Sequence, residues 1–182
     1  AYITKRIDRV KKSKLHMEDM CQLTERLSEH KYHGSYEQIA KAIQKFSVTP
    51  GLDMVNFLEI VLFSFLTGNA DMHLKNFSLI TSLDAGPILA PAYDLLATAL
   101  VNPADDEDLA LTLNGRKKKI KKSDFETAFN TLGLDTKQQK NIFNKMYKAL
   151  PKWEEMIDRS FLNAEWKGKY KVLIKERFLR IT

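Results

Sequence analysis

The chain has 182 residues, 44% of them apolar and 29% charged, which is the length and composition of one globular domain with a buried core. Seven glycines and five prolines, spread without low-complexity runs, argue against a repeat array or a long disordered segment. The net charge of +6 leaves nucleic acid, an acidic partner and phosphate open as ligands.

The number of cysteines and the lengths of the apolar runs indicate the cellular compartment in which we expect the protein. The single cysteine, Cys21, cannot form an internal disulfide, which favours a reducing compartment, and we expect a cytoplasmic protein with Cys21 as a buried structural thiol. The first residues lack the apolar core of a secretory signal. Residues 55–66 are the most apolar run, but they are polar at three positions and shorter than the roughly 20 residues of a membrane span. We therefore expect a core helix there and no membrane partner.

The first third of the chain is predicted to form one strand and three helices. Weak alternation of polar and apolar residues indicates the strand, and apolar spacing of three and four indicates the helices. Ser35 is the expected N-cap of the second helix, and Asp53 that of the third, which Gly68 ends. The predicted elements are a strand at 2–7 and helices at 17–27, 35–46 and 54–67.

Between Asn76 and Asp94 the chain is predicted to form a β-hairpin. Residues 77–80 and 88–90 are short apolar runs, and residues 84–87 between them have turn chemistry. An antiparallel hairpin brings its two ends together. Asn76, just before the first strand, is therefore expected beside Asp94, just after the second.

Asp71 completes a set of three oxygen-bearing side chains with Asn76 and Asp94. It lies five residues before Asn76, in the polar loop after the predicted core helix. Magnesium prefers oxygen ligands and is commonly held by one or two side chains plus substrate phosphates. In protein kinases an Asp accepts the hydroxyl proton, an Asn five residues later binds metal, and an Asp after the next hairpin does the same. Each residue alone could cap a turn, but their joint order and spacing favour the base-and-metal interpretation.

The rest of the chain is predicted to be a helical bundle without recognisable chemistry. Charged loops separate its elements, and Trp153 and Trp166 are expected to anchor the core or an interface. The predicted elements are a helix at 93–100, a short strand or a tight segment at 109–113, and helices at 123–132, 135–150, 152–162 and 170–179.

Most of the excess positive charge lies in residues 116–122. Such a run could attract nucleic acid, an acidic partner or phosphate. Without interleaved aromatic residues to stack on bases, we favour a solvated loop over direct nucleic-acid binding. The neighbouring acidic residues 105–108 do not have the spacing of a metal-binding loop, and we expect a solvated loop there too.

Residues 69–79 and 89–98 resemble the catalytic and metal motifs of the HipA family. The members of that family are bacterial serine/threonine kinases that act as toxins in toxin–antitoxin modules. Residues 3–9, 15–23 and 109–116 resemble the hinge strand and two further family segments, in the expected order. The resemblance spans most of the chain. It implies a mainly α fold that forms a single domain over residues 1–182. The expected architecture is a protein-kinase-like C-terminal lobe, a helical bundle with one small β-hairpin at the active site.

The resemblance also implies roles for individual residues. Asp71 would be the catalytic base, and Asn76 and Asp94 would bind magnesium bridging the phosphates of ATP. Lys5 stands where the family has an acidic residue and Ile7 where it has an aromatic one, so only their backbone is expected to contact adenine. Asp8 could contact the ribose, although an Asp beside Arg6 and Arg9 more often forms a local ion pair. His73 is expected either to contact phosphate or orient the loop, or to brace the loop through backbone hydrogen bonds. Lys75 is expected either to neutralise the transferred phosphate or to be an ordinary surface lysine, and Tyr93 is a further expected cofactor contact.

No glycine-rich phosphate loop and no Val-Ala-Ile-Lys-like strand precedes Asp71. We therefore expect the ATP-binding N-terminal lobe to lie outside this sequence or on another chain. The resemblance implies a protein substrate, an aminoacyl-tRNA synthetase or another translation protein, and a DNA-binding antitoxin as partner. The alternative is a non-catalytic partner-binding module, either a kinase relic or a split-kinase subunit.

Overall fold

A computed structural model describes residues 5–10, 13–82, 86–102 and 104–182. Within these ranges the chain is mainly helical with two small antiparallel sheets, which confirms the predicted fold class. The strands are β1 (Arg9–Val10), β2 (Ser13–Lys14), β3 (Met17–Asp19), β4 (Ser78–Ser82) and β5 (Gly86–Leu89). The helices are α1 (Met20–Leu23), α2 (Tyr36–Phe46), α3 (Pro50–Thr67), α4 (Thr98–Val101), α5 (Lys122–Thr131), α6 (Thr136–Arg159) and α7 (Ala164–Leu179).

The predicted hairpin is present as β4 and β5, with Leu79 opposite Leu89. Of the predicted turn, residues 84 and 85 lie outside the described residues, and Gly86 already begins β5. Of the predicted strand at 2–7, residues 2–4 lie outside the described residues, and residues 5–7 are not in a strand.

The hairpin also carries a third strand, β3, on the other edge of β4. The prediction of a helix over 17–27 is therefore wrong at both ends, since α1 takes only Met20–Leu23. The physical reason lies at Asp19, whose backbone is extended and whose carboxylate accepts the Gln22 amide N–H at 3.0 Å. A helix N-cap of this kind leaves the preceding residues free to pair as a strand.

Helix α3 is the centre of the core, with ten of its eighteen residues buried. It begins at Pro50 rather than at the predicted Asp53 cap. The Asp53 carboxylate instead accepts hydrogen bonds from the Leu89 amide N–H at 2.8 Å and from the Ser47 hydroxyl at 2.5 Å. Asp53 therefore ties the first turn of α3 to β5, and so to the hairpin.

By length and composition alone, α3 could also cross a membrane, with a mean hydropathy of 1.4 over 18 residues. The core helix of a globular domain meets the same two criteria. In this fold 56% of that window is buried, and α2, α6, α7 and β5 pack against the helix. The prediction of a buried core helix is confirmed.

Three predictions in the middle of the chain are corrected. Only α4 is helical in the segment predicted as a helix over 93–100, because Asp94 has a left-handed backbone (φ 56°) that a right-handed helix excludes. Of the two alternatives at 109–113, the strand is wrong and the tight segment is present. Leu109, Leu111 and Leu113 are buried, and the backbone bonds go to loops, such as that from the Thr112 N–H to the Gly34 carbonyl. Helix α5 begins at Lys122, not Ser123, because Asp124 accepts the Lys121 N–H at 2.9 Å.

The C-terminal bundle also differs from the prediction. Pro151, predicted to separate two helices, lies inside the continuous α6. The turns after it are held by packing, since Trp153 contacts Phe63 edge to face with ring centroids 5.1 Å apart. Helix α7 begins six residues before the predicted Tyr170, where Asn163 caps it by accepting the Trp166 N–H.

The basic run and the acidic residues 105–108 pair with each other. Lys117 and Lys118 form ion pairs with Glu107 and Asp106. The expectation of a wholly solvated acidic loop is wrong for Asp108, which is buried and bound by Arg177 and Arg180 of the last helix and its C-cap. Burial alone would raise the pKa of Asp108, but the hydrogen bonds from Arg180 and the Ile120 N–H hold it below its usual range.

Candidate active site

The two ends of the hairpin meet at Asn76 and Asp94, as the sequence predicts. Nδ2 of Asn76 donates a hydrogen bond to Oδ2 of Asp94 at 3.0 Å. Asn76 is only 4% exposed and ends a 3-10 turn, Leu74–Asn76, immediately before β4. The amide nitrogen of Asn76 is bound to Oδ2 of Asp94, and no hydrogen bond among the described residues occupies Oδ1 of either side chain.

Asn69 connects this pair to Asp71, and sequence reasoning missed it. Its Nδ2 donates to the Asp94 carbonyl at 3.3 Å, while its Oδ1 accepts the Asp71 N–H at 3.2 Å. The side chain is 1% exposed, so both bonds are made away from water. The sequence signal was its place between the Gly68 helix stop and Asp71, which we interpreted only as the end of a helix.

The segment after Asp94 is joined to the end of α3. The Ala70 N–H donates to Oγ1 of Thr98 at 2.9 Å, and the Ala99 N–H donates to the Gly68 carbonyl at 2.9 Å. Gly68 has φ of 72°, and a Cβ there would lie 2.8 Å from Cδ2 of Leu173. A glycine is thus needed where the chain leaves the core helix for the loop that carries Asp71.

Asp94 itself has a left-handed backbone, with φ of 56°. Asp tolerates this region better than most residues, but it is uncommon outside glycine. Such backbones persist where neighbouring bonds fix them, and they cluster at functional sites. Here the bonds from Asn69 and Asn76 hold the residue from its carbonyl and its carboxylate.

Asp71 lies in the loop between α3 and the 3-10 turn. Oδ1 of its carboxylate accepts a hydrogen bond from the Tyr32 hydroxyl at 2.7 Å. A cavity of about 350 Å³ opens beside both residues, and its lining also includes Thr98, Asn102 and Ala110. Burial and the neighbouring Asp71 raise the pKa of Tyr32 to about 12. No local sequence pattern indicates this contact, because the two residues are 39 positions apart.

His73 lies beneath Tyr32, with the two rings edge to face and their centroids 4.9 Å apart. The side chain is 6% exposed, and Nδ1 has no hydrogen-bond partner among the described protein atoms. Burial and the charge of Lys31 lower the pKa of His73, which favours a neutral ring. The backbone of His73 braces the loop by bonding Asp71 and Asn76, and its predicted cofactor contact stays a prediction.

Lys75 forms an ion pair with Asp19, with Nζ 2.6 Å from Oδ2. This hydrogen bond raises the pKa of Lys75, so the amine stays charged. Asp19 was not among the predicted site residues, because its distance of 56 positions along the sequence hides the contact. The pair joins α1 to the loop that carries Asp71 and Asn76, and the predicted phosphate contact of Lys75 stays a prediction.

Tyr93 braces the hairpin from the residue before Asp94. Its hydroxyl donates to the Lys75 carbonyl at 2.8 Å and lies 2.6 Å from Oγ of Ser78. Burial raises the pKa of Tyr93 to about 12. These bonds explain the position of Tyr93, and its predicted role toward the cofactor stays a prediction.

The three predicted hinge residues are not joined to the other site residues. Lys5 and Ile7 are exposed, and Asp8 forms the local ion pair that we considered, accepting from Nε and Nη2 of Arg6 at 2.9 and 2.6 Å. Among the described residues, no hydrogen bond or ion pair links this segment to Asn76 or Asp94. Their contacts with adenine and ribose stay predictions.

The oxygen atoms of Asn76 and Asp94 suit a magnesium ion that phosphate oxygens and water also bind. They suit a metal ion bound by protein side chains alone less well. No group of three or more His, Cys, Asp and Glu side chains in the described part of the chain could hold a metal ion. Asn76 and Asp94 instead offer an amide and a carboxylate oxygen. Two such ligands, with phosphate oxygens and water filling the octahedron, are the usual arrangement for magnesium at nucleotide sites.

Curated relatives match parts of this chain. Y4dM of Sinorhizobium fredii, named as a presumed kinase, is 39% identical over 121 residues, which are 66% of this chain and 29% of that protein. Y4mE of the same organism, named likewise, is 36% identical over 89 residues, 47% of this chain and 21% of the relative. A protein of Haemophilus influenzae, also named as a presumed kinase, is 33% identical over 72 residues, 40% of this chain and 21% of the relative. The matches span less than a third of each relative.

Solved structures share the fold. HipA of Shewanella oneidensis, solved in complex with HipB and operator DNA, superposes with a TM-score of 0.75 at 18% identity, covering 97% of this chain and 47% of that one. The Helicobacter pylori proinflammatory kinase CtkA superposes with a TM-score of 0.64 at 17% identity, covering 95% and 70%. The family model of the HipA-like C-terminal domain matches residues 1–153. This chain therefore belongs to the HipA-like C-terminal domain family.

Proposed function

We propose that this domain supplies the catalytic base and the magnesium ligands of a HipA-type serine/threonine protein kinase that uses ATP. The observation that carries the proposal is the 3.0 Å bond between Asn76 and Asp94, joined through buried Asn69 to the loop of Asp71. These hydrogen bonds thus hold the three segments that carry Asp71, Asn76 and Asp94 against one another. Phosphoryl transfer depends mainly on such positioning and on charge neutralisation.

Each residue has a distinct part in the proposed reaction. Asp71 accepts the proton of a serine or threonine hydroxyl at the oxygen that Tyr32 leaves free. Asn76 and Asp94 hold the metal by oxygen atoms, and bound magnesium neutralises the charge of the ATP phosphates. Lys75 stays protonated beside Asp19 and adds positive charge at the same loop.

The proposal extends to parts that these residues do not supply. A glycine-rich phosphate loop and a paired lysine belong to an ATP-binding lobe outside these 182 residues or on another chain. A DNA-binding antitoxin is the proposed partner, supported by the HipB–DNA complex of the Shewanella structure. The proposed substrate is a protein of translation, such as an aminoacyl-tRNA synthetase.

Calorimetric titration with ATP tests the metal site, with and without magnesium, on the chain alone and mixed with the protein encoded immediately upstream. We expect magnesium-dependent binding that Asp94→Ala and Asn76→Ala abolish and Asp71→Asn retains. Asp135→Asn is the matched control, because Asp135 caps α6 outside the site. Absence of magnesium-dependent binding under both conditions would leave the alternative, a partner-binding module without catalysis.

A further inference from the structure

The carboxylate of Asp71 has a single hydrogen-bond partner among the described residues, the hydroxyl of Tyr32. A carboxylate offers two oxygens, and this bond occupies Oδ1 at 2.7 Å. The rotation of the Asp71 side chain is therefore set by one donor that comes from outside its own loop. Because the pKa of Tyr32 is raised to about 12, the hydroxyl keeps its proton, and remains a donor, throughout the neutral range.

Tyr32 is itself held against the loop that carries Asp71. The carbonyl of the preceding residue, Lys31, accepts the Leu74 N–H at 3.1 Å. The ring packs edge to face on buried His73, and the Lys31 amine lies over it, 4.9 Å from its centroid. These contacts act on the backbone, the edge and the face of the ring, and they orient the ring, which is 41% exposed, so that its hydroxyl meets Asp71.

The segment that carries Tyr32 is in turn fixed to the core. Tyr36, at the start of α2, is fully buried and donates from its hydroxyl to the Met72 carbonyl at 3.0 Å. Two tyrosines from one segment thus bind the same short loop, one at the Asp71 carboxylate and one at the next carbonyl. The loop is bound from this side by both side chains and backbone.

We propose that Tyr32 is a positioning residue for phosphoryl transfer, holding Oδ1 of Asp71 so that the second carboxylate oxygen receives the proton of the acceptor hydroxyl. This inference rests on the proposed kinase function. The cavity of about 350 Å³ lined by Tyr32, Asp71 and Thr98 gives the acceptor side chain room to reach that oxygen. Tyr32 serves as an orienting donor and not as a movable gate, because its backbone and ring are both tethered.

The test compares wild-type protein with Tyr32→Phe, which keeps the ring and removes only the donor. Transfer of labelled phosphate from ATP to casein is measured with the complete system, the chain together with the protein encoded upstream. We expect kcat to fall about tenfold, as for loss of one partly exposed hydrogen bond to a charged group, while KM for magnesium-ATP stays unchanged. Tyr147→Phe is the matched control, since its hydroxyl binds the Ile181 carbonyl outside the site, and we expect its kcat to be unchanged.

Each outcome decides one claim. A lower kcat at constant KM and constant nucleotide affinity supports the positioning role. An unchanged or raised kcat overturns it, and so does a parallel loss of kcat and nucleotide affinity, which would indicate general disruption. Absence of transfer to casein by the wild-type system, together with absence of magnesium-dependent ATP binding, overturns the proposed function, and the role of Tyr32 with it.

The contact itself can be tested without turnover. Ultraviolet titration carried past the pKa of Tyr32, about 12, follows tyrosine ionisation, and the signal of Tyr32 is identified by its loss in Tyr32→Phe. In Asp71→Asn we expect the pKa of Tyr32 to fall from about 12, because the negative charge that opposes ionisation is removed. A titration that Asp71→Asn leaves unchanged would show that the two side chains do not interact in solution.

Discussion

The side-chain amide of Asn69 donates a hydrogen bond to the backbone carbonyl of Asp94, 25 residues further along the chain. The same amide accepts the Asp71 N–H, so one buried side chain sets the distance between the proposed base and the proposed metal ligand. We expect Asn69→Ala to reduce stability by about 1–3 kcal/mol, because it leaves buried backbone groups without partners. We also expect it to weaken magnesium-dependent ATP binding.

Chemical denaturation and calorimetry measure the two effects of Asn69→Ala separately. Asn130→Ala is a suitable comparison, since Asn130 also accepts a side-chain hydrogen bond, from Gln139, but lies in the C-terminal bundle. We expect that variant to lose stability and keep nucleotide affinity. Equal nucleotide affinity in wild type and Asn69→Ala would show that Asn69 does not position the site.

Gly68 and Gly168 form a natural pair for testing backbone conformation. Gly68→Ala places a Cβ at φ of 72° and 2.8 Å from Leu173, and we expect it to cost about 1–3 kcal/mol of stability. Gly168 lies inside α7 with open space around its Cα, so Gly168→Ala should stabilise the protein by about 0.5–1 kcal/mol. Thermal unfolding of the two variants should therefore shift in opposite directions. Similar shifts would contradict the assigned backbone at Gly68.

The carboxylate of Asp108 should dominate the acid sensitivity of the fold. It is bound by Arg177, Arg180 and the Ile120 N–H, and removing it leaves two half-buried guanidinium groups without their carboxylate partner. We expect Asp108→Asn to cost about 3–5 kcal/mol at neutral pH. Because the pKa of Asp108 is lowered in the folded state, its contribution is present above the unfolded pKa and disappears as pH falls through the folded value.

Denaturant titrations between pH 7 and pH 3 measure this dependence. Wild type should lose stability below about pH 4, the ordinary pKa range of aspartate, and Asp108→Asn should lose less over the same interval. Asp106→Asn removes an exposed partner of Lys118 and should change little. An acid profile that is the same in wild type and Asp108→Asn would refute the assignment.

Short-range patterns in the sequence were sufficient to predict much of this site. The hairpin strands are local in sequence, so apolar runs and turn chemistry located them, and the juxtaposition of Asn76 and Asp94 followed from antiparallel geometry. The turn between α3 and the site loop followed from Gly68, whose backbone only glycine adopts easily.

What the sequence did not reveal depends on contacts between distant segments. Asp19 reaches Lys75 and Tyr32 reaches Asp71 only after the core has folded, and neither residue carries a local signal of this. Strand β3 has three residues, too few for a period to be recognised, and it exists because β4 offers an edge. Pro151 was misinterpreted for the same reason, since packing around Trp153 outweighs its local preference to end a helix.

The pair of Lys75 and Asp19 offers a test of whether the lysine acts on substrate or only on the fold. Nζ of Lys75 lies 2.6 Å from Oδ2 of Asp19, and the side chain is about one third exposed, so the amine is both oriented and accessible. If Lys75 neutralises phosphate, Lys75→Met should lower kcat more than it lowers stability. Asp19→Asn should retain part of the activity, because the charge remains and only its orientation is lost.

A double-mutant cycle separates these contributions. The double variant Asp19→Asn/Lys75→Met should be no less active than Lys75→Met alone, because both changes act through one amine. The pKa of Lys75 is raised by its bond to Asp19, so its charge should not alter the wild-type rate between pH 6 and pH 9. Unfolding free energies of the four proteins provide the control. If kcat changed only in proportion to stability, Lys75 would be a structural residue, and the proposed reaction would depend on Asp71, Asn76 and Asp94 alone.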